Sequence, residues 1–250
     1  VGYQWPAGCS DQPAQQNYFY TTQGNFAAAT ATGNQTVDTG VDSVLKAIRF
    51  YGDLNFAEGY LDGQANYMGW AVSSTQQKGI GWANDDGAAT TNSGRFSGDS
   101  CIIIVSNGVP TVDAAASFVS FGTGANAGQF TINWINAPAL ARLVYYEAYY
   151  GGSALTNVAV TQHTITAAVG TPQGFTGIGF QPNFIFLMTS LQTVRGSAVG
   201  TAVGFGMAQS ATNQGTITMG MADADAAGAY LTEFRQSDTL ALHCMSAAAN

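Results

Sequence analysis

Short stretches in which apolar and polar side chains alternate recur along most of this chain. In "FTINW", Phe130, Ile132 and Trp134 share one face, with Thr131 and Asn133 on the other. In "RLVYYEAYY", Leu143, Tyr145 and Tyr149 oppose Val144, Tyr146 and Ala148. A two-residue period rich in β-branched and aromatic residues, bounded by Gly, Asn or Pro, marks a strand. "KAIRF", "CIIIV", "FVSF" and "FIFLM" read the same way. The last is expected to be a buried strand with Pro182 at its entrance, where no ladder N–H need be lost. No segment sustains the 3.6-residue period of a capped helix. "VDSVLKAIRF" comes nearest, but Ile48 and Phe50 alternate with Arg49, so it is assigned to a strand. The pattern predicts an all-β protein.

A longer repeat overlies this alternation. "ATGNQTVDTGVDSVLKAIRF" resembles "AVGTPQGFTGIGFQPNFIFLM", with Gly33 and Gly170 separated by 137. "GWAVSSTQQ" resembles "GMAQSATNQ", with Gly69 and Gly206 again 137 apart, and Asp99 of "SGDSCIIIVS" matches Asp238 of "QSDTLALHCMS" at 139. Three blocks in one order at a spacing of about 138 predict two domain-sized copies rather than a solenoid. The expected architecture is two tandem antiparallel β-sandwiches, jelly-roll-like, with an N-terminal arm over 1–17 and copies over 18–150 and 151–250. The second copy stops about 39 residues short of the first, before counterparts of "FVSF", "QFTINWI" and "ARLVYYEAYYG". A sandwich cut there would expose edges and core. The polypeptide is therefore expected to continue. The alternative is strands supplied by a neighbouring subunit or by the N-terminal segment.

Composition narrows the function classes. Charged residues make up only 9% of the chain, against roughly 25% in ordinary soluble domains. The net charge is −8, and the seven basic residues are scattered. Nucleic-acid binding needs a cationic stripe to neutralise phosphates, so neither it nor an anionic membrane surface is expected as a partner. No window has the roughly 20 apolar residues of a spanning helix. The opening "VGYQWPAGCSDQPAQQ" lacks the basic and apolar regions of a signal peptide. Cys9, Cys101 and Cys244 are too few and too far apart for a disulfide framework or a zinc site; Cys101 and Cys244, in strand-like stretches, read as two small buried hydrophobes.

Candidate chemistry is sparse. His163 in "VTQHTIT" is expected on a strand face, and His243 beside Cys244 points to the opposite face from it, so the pair makes no dyad. Asp85 and Asp86 in "NDDG", and Asp223 and Asp225 in "DADAAG", are the only acidic clusters and thus weak Ca²⁺ candidates. They lack a following bidentate Glu and read first as solvated turns. Trp70, Trp82 and Trp134 are the candidate ligand or interface aromatics. Trp70 corresponds to Met207 in the repeat and Trp82 falls near Met219 or Met221, which favours core or interface volume over a sugar platform. No catalytic residue and no cofactor are predicted, and the chain is not expected to be an enzyme.

The blocks "TATGNQTV", "GFQPNFIFL", "GWAVSS", "DSCIIIVSNG", "AASFVSF" and "INWINAPALARLVYYEAYYGGSALTNVAV" together resemble a repeated β-domain of tailed-phage and prophage virion proteins. The first copy departs from that pattern, because "GVDSVLKAIRF" lacks the Phe-Gln-Pro. The resemblance implies a structural protein of the particle (capsid decoration, tail or fibre-associated subunit) assembled in a host cytoplasm with copies of itself and other virion proteins. A receptor- or carbohydrate-binding adhesin module, with a host surface glycan as partner, is the rival reading.

Overall fold

The computed structural model describes residues 19–53, 64–84, 93–106, 111–151, 155–166, 173–190, 192, 195–221, 232–242 and 244. Its strands are β1 (Tyr20–Ala27), β2 (Gly33–Asp38), β3 (Leu45–Asp53), β4 (Gln64–Ala71), β5 (Gln77–Asn84), β6 (Ser93–Gly98), β7 (Ile102–Val105) and β8 (Val112–Phe121). They continue with β9 (Gln129–Asn136), β10 (Leu143–Tyr150), β11 (Ile185–Thr189), β12 (Gly196–Val199), β13 (Thr201–Ser210), β14 (Asn213–Met221) and β15 (Thr232–Ser237). The described residues contain no α-helix, only a 3-10 turn at Gly124–Asn126. Among the described residues, no helix is long and apolar enough to cross a membrane.

Three antiparallel sheets result. A large sheet runs β1-β10-β3-β4-β5-β6-β12, a facing sheet β2-β9-β8-β7, and an outer sheet β11-β13-β14-β15. The large and facing sheets form a sandwich, and alternation decides what lies between them. Ile48, Phe50, Tyr67, Val144 and Tyr146 from the large sheet meet Ile103, Phe118, Phe130, Ile132 and Trp134 from the facing one, all buried. Phe130 stands edge-on to both Phe50 and Tyr146, at 5.6 and 5.3 Å between ring centres. Each such ring contributes about 1.5–3 kcal/mol by leaving water.

Glycine lets one strand come unusually close. A Cβ on Gly81 would sit 2.5 Å from the carbonyl oxygen of Ile103, and one on Gly69 would run into the carbonyl of Cys101. The backbone at the start of β7 thus rests directly on β4 and β5. Gln77, at the start of β5, is a buried polar side chain, 5% exposed. It accepts from the Phe118 N–H at 2.6 Å and donates to the Ser74 carbonyl at 2.7 Å, pinning the end of β5 to β8.

The outer sheet covers the opposite face of the large sheet. Ile80 and Trp82 pack there with Val203, flanked by Met68, Met188, Phe205 and Met219. The preceding strand β12 extends the large sheet by pairing with β6, Ala198 opposite Arg95. Buried Arg95 donates from Nη1 to the Gly200 carbonyl at 2.6 Å, and the Gly200 N–H donates to Ser93 at 2.9 Å.

Pairing in the outer sheet tracks pairing in the large one. Arg49 pairs with Trp70 and Phe186 with Met207, both partners shifted by 137. Ala65 pairs with Ala83 and Ala202 with Gly220, again shifted by 137. Gly206 meets the carbonyl of Ala241 as Gly69 meets that of Cys101.

Two expectations are corrected. The strand in "FIFLM" is not buried. Phe184 is exposed, Ile185 is exposed at the start of β11, and the rest of β11 is half-buried. The reason is its place at a sheet edge, with β13 as its single neighbour. His163 is on no strand; it lies exposed in an irregular stretch, its Nε2 2.9 Å from Thr161 Oγ1 and its ring 4.6 Å from Phe175.

Candidate functional site

The most structured surface feature lies at the seam of the large and outer sheets. Residues 49, 51 and 53 on β3, 66, 68 and 70 on β4, and 80 and 82 on β5 all project from the large sheet away from the main core. Because the strands pair in register, these side chains form rows across the sheet. In one row Glu147, Arg49 and Trp70 are adjacent. Arg49 Nη2 donates to Glu147 Oε2 at 2.5 Å. Its guanidinium lies 5.3 Å from the centre of the Tyr51 ring and 5.7 Å from that of Trp70. Trp70 stacks on Tyr149 and tilts against Phe186 of β11, both at 5.5 Å.

The next rows line a shallow, open cleft of about 430 Å³. Tyr51 and Tyr145 stack at 6.0 Å on one side, while Trp82 meets Phe205 of β13 at 5.4 Å on the other. Met68 joins them, and Asp53 and Asn66 bring the polar groups. Asn66 pairs with Asp53 on one side and Trp82 on the other, so the three side chains neighbour one another along the sheet. The Asn66 amide nitrogen and the Trp82 indole nitrogen are both buried, and neither has a hydrogen-bond partner. Two adjacent unpaired donors cost about 1–3 kcal/mol each.

Tyr67 contributes to the same wall from beneath. Its hydroxyl is buried without a partner. Burial first, then the Asp53 carboxylate, Tyr145 and Cys101, push its phenol well above the ordinary range. Burial likewise raises the Tyr149 phenol, assisted by Glu147. Elsewhere, Asp99 receives both Lys78 and Arg195, and Asp113 receives Arg142 at 3.4 Å.

The structure separates the three predicted tryptophans. Trp70 and Trp82 lie between the large and outer sheets, and Trp82 alone lines the cleft. Trp134 is in the sandwich core, 1% exposed, where its indole N–H donates to Gln35 Oε1 at 2.7 Å. Asp85, Asp86, Asp223 and Asp225 lie outside the described residues, as do Cys9 and His243. No cluster of metal-ligating side chains occurs among the described residues. Cys101 is buried, its thiol pushed up by burial, and Cys244 is half-buried with its thiol also raised by burial. Sequence reading missed Tyr51, Asp53, Asn66, Tyr145 and Phe205. The alternation had put Tyr145 on the face opposite Val144 and Tyr146, but nothing in the sequence said that a second sheet would meet it there.

No family model, curated protein or solved structure matches the chain.

Proposed function

We propose that the protein is a non-enzymatic structural subunit that works through permanent contacts with copies of itself and with other particle proteins. The observation that carries this reading is β1. It closes one edge of the large sheet, with β10 as its only neighbour among the described residues. Its eight residues, "YTTQGNFA", include no charge and no proline. Soluble monomers usually protect such an edge with Lys, Pro or a bulge, because its free N–H and C=O groups invite another strand. Here the edge instead begins with Phe19 and Tyr20, each 54% exposed, which lean on Tyr149 and Tyr150. An uncharged, aromatic-ended edge suits strand addition between subunits.

The finer architecture belongs to the same proposal. Two copies of one unit are supported by the shared pairing and the common 137-residue shift of β3-β4-β5 and β11-β13-β14. Placement in a tailed-phage particle takes its support from the sequence blocks quoted above and from the low charge.

Light scattering on the full chain tests the contact. An oligomer is expected, and Thr21→Lys with Gln23→Lys should convert it to monomer. A monomeric wild type, or an oligomer indifferent to both lysines, refutes the edge as the contact. Mass spectrometry of purified particles from the organism carrying the gene tests the placement, for which the chain must be present in stoichiometric amount.

A further inference from the structure

We propose that the open side of β11 accepts β1 of a second copy, so that copies join head to tail through one continuous antiparallel sheet. The inference rests on the assembly reading above and names the partner of its β1 edge.

β11 lacks a strand that its counterpart possesses. Ile48, Arg49, Phe50 and Tyr51 of β3 pair with Ala71, Trp70, Gly69 and Met68 on one side, and with Ala148, Glu147, Tyr146 and Tyr145 of β10 on the other. Shifted by 137, the first set of pairs recurs residue for residue. Ile185, Phe186, Leu187 and Met188 of β11 face Ala208, Met207, Gly206 and Phe205 of β13. The second set has no counterpart among the described residues, where β13 is the single neighbour of β11. Burial records the difference: Ile48 is 0% exposed and Ile185 39%, with Phe184 beside it 59% exposed. The place that β10 takes on β3 is open on β11.

The side chains at that place select the strand that fills it. On β3 the neighbour brings Glu147 to Arg49. The counterpart of Arg49 is Phe186, which would leave an entering carboxylate unpaired. An uncharged strand is required, and the run Ile185 to Met188 is bulky enough to favour slim cross-strand neighbours. β1 meets both conditions, with Thr21, Thr22, Gln23, Gly24 and Asn25 in its middle and no charge along its length.

The remaining sheet edges are protected. β15 carries Glu233 and Arg235, and β2 ends on Asp38. β12 has four residues and follows Arg195, which is bound to Asp99. β7 is buried along its whole length against the large sheet. Short, charged or covered edges resist strand addition. A two-fold contact between β1 strands would close at a dimer and leave β11 open in both copies. Placing β1 on β11 satisfies both edges with one repeating contact. The four-stranded outer sheet of one copy then runs on into the seven-stranded sheet of the next.

Sedimentation velocity on the full chain tests the pairing, with two variants. One carries Thr21→Lys and Gln23→Lys on β1, the other Phe184→Lys and Ile185→Lys at β11. The wild type should grow beyond a dimer with concentration, and each variant alone should be monomeric. Mixed in equal amounts, the two should form a heterodimer and nothing larger, because one intact β1 meets one intact β11. Near-UV circular dichroism matching the wild type confirms that each variant is folded. If the double β11 variant does not fold, Phe184→Lys alone decides, and should raise the dissociation constant roughly tenfold. If the folded β11 variant assembles as the wild type does while the β1 variant is monomeric, the β1 edge stands and β11 as its partner is overturned. An unchanged dissociation constant in Phe184→Lys, or a mixture of folded variants that stays monomeric, also overturns it. A β1 variant that still assembles, or a monomeric wild type, overturns the β1 contact itself and this pairing with it.

Discussion

Gly81→Ala offers the sharpest test of how the sandwich is closed. The added Cβ would lie 2.5 Å from the Ile103 carbonyl oxygen and 3.3 Å from Val105 Cγ1. Ordinary contact begins at 3.4 Å, so β7 must back away by about 0.9 Å. It cannot do so alone. All four residues of β7 are buried, and the strand is held to β8 through Ile102, Ile103 and Ile104. Forcing extra volume into such a layer costs about 1–3 kcal/mol. Replacing glycine in a strand returns about 0.5–1 kcal/mol of backbone entropy. The net expectation is a loss of about 1–2 kcal/mol, or a Tm lower by about 2–8 °C for a chain of this length. Gly174→Ala is the control, since nothing lies within 4 Å of its added Cβ and its φ is not positive. Chemical denaturation of both variants beside the wild type measures the difference. A Gly81→Ala loss below about 0.5 kcal/mol, level with an ordinary surface substitution, would refute the close approach of β7 to β5.

Two further outcomes follow from buried polar groups. Gln77→Leu keeps most of the volume but strands the Phe118 N–H, so stability should fall by about 1–3 kcal/mol in the same denaturation assay; an unchanged midpoint would mean that this bond is not formed in solution. The buried phenol of Tyr67 titrates higher folded than unfolded, so its stabilising contribution is whole below the unfolded value near 10 and is lost as the pH climbs above it. Tyr67→Phe should therefore flatten the decline of stability above pH about 10, and, since the hydroxyl has no partner, should cost little at neutral pH; an equally steep alkaline decline would exonerate Tyr67.

The apolar–polar alternation was sufficient for the strands. "FTINW" buries Phe130, Ile132 and Trp134 as its period requires, and "RLVYYEAYY" buries Val144, Tyr146 and Ala148. "VDSVLKAIRF" yields β3, with Ile48 and Phe50 inward and Arg49 outward to Glu147. A strand's side chains point to alternate faces whatever surrounds it, so a local pattern carries this information. How deeply a strand is buried is different, because it depends on the number of neighbours. "FIFLM" has a core-like composition and still ends at an edge, since β11 pairs on one side alone.

The candidate site was legible only in fragments. Trp82 was singled out from the sequence, but Trp70 and Trp134 were grouped with it although they serve two different layers. Tyr51, Asn66, Tyr145 and Phe205 are separated by up to 154 positions in the chain and meet only through strand order and the docking of β13. The sequence by itself determined an all-β chain of low charge, its strand faces, and a shift of 137 that recurs in the pairing of two sheets. The tertiary structure decided that β12 joins the large sheet and that the outer sheet lies on its aromatic face. It also decided that two buried N–H donors lie beside a cleft lined by five aromatic residues. The division has a physical cause: side-chain alternation is a property of one strand, whereas a cleft is a property of the surfaces that strands far apart in sequence bring together.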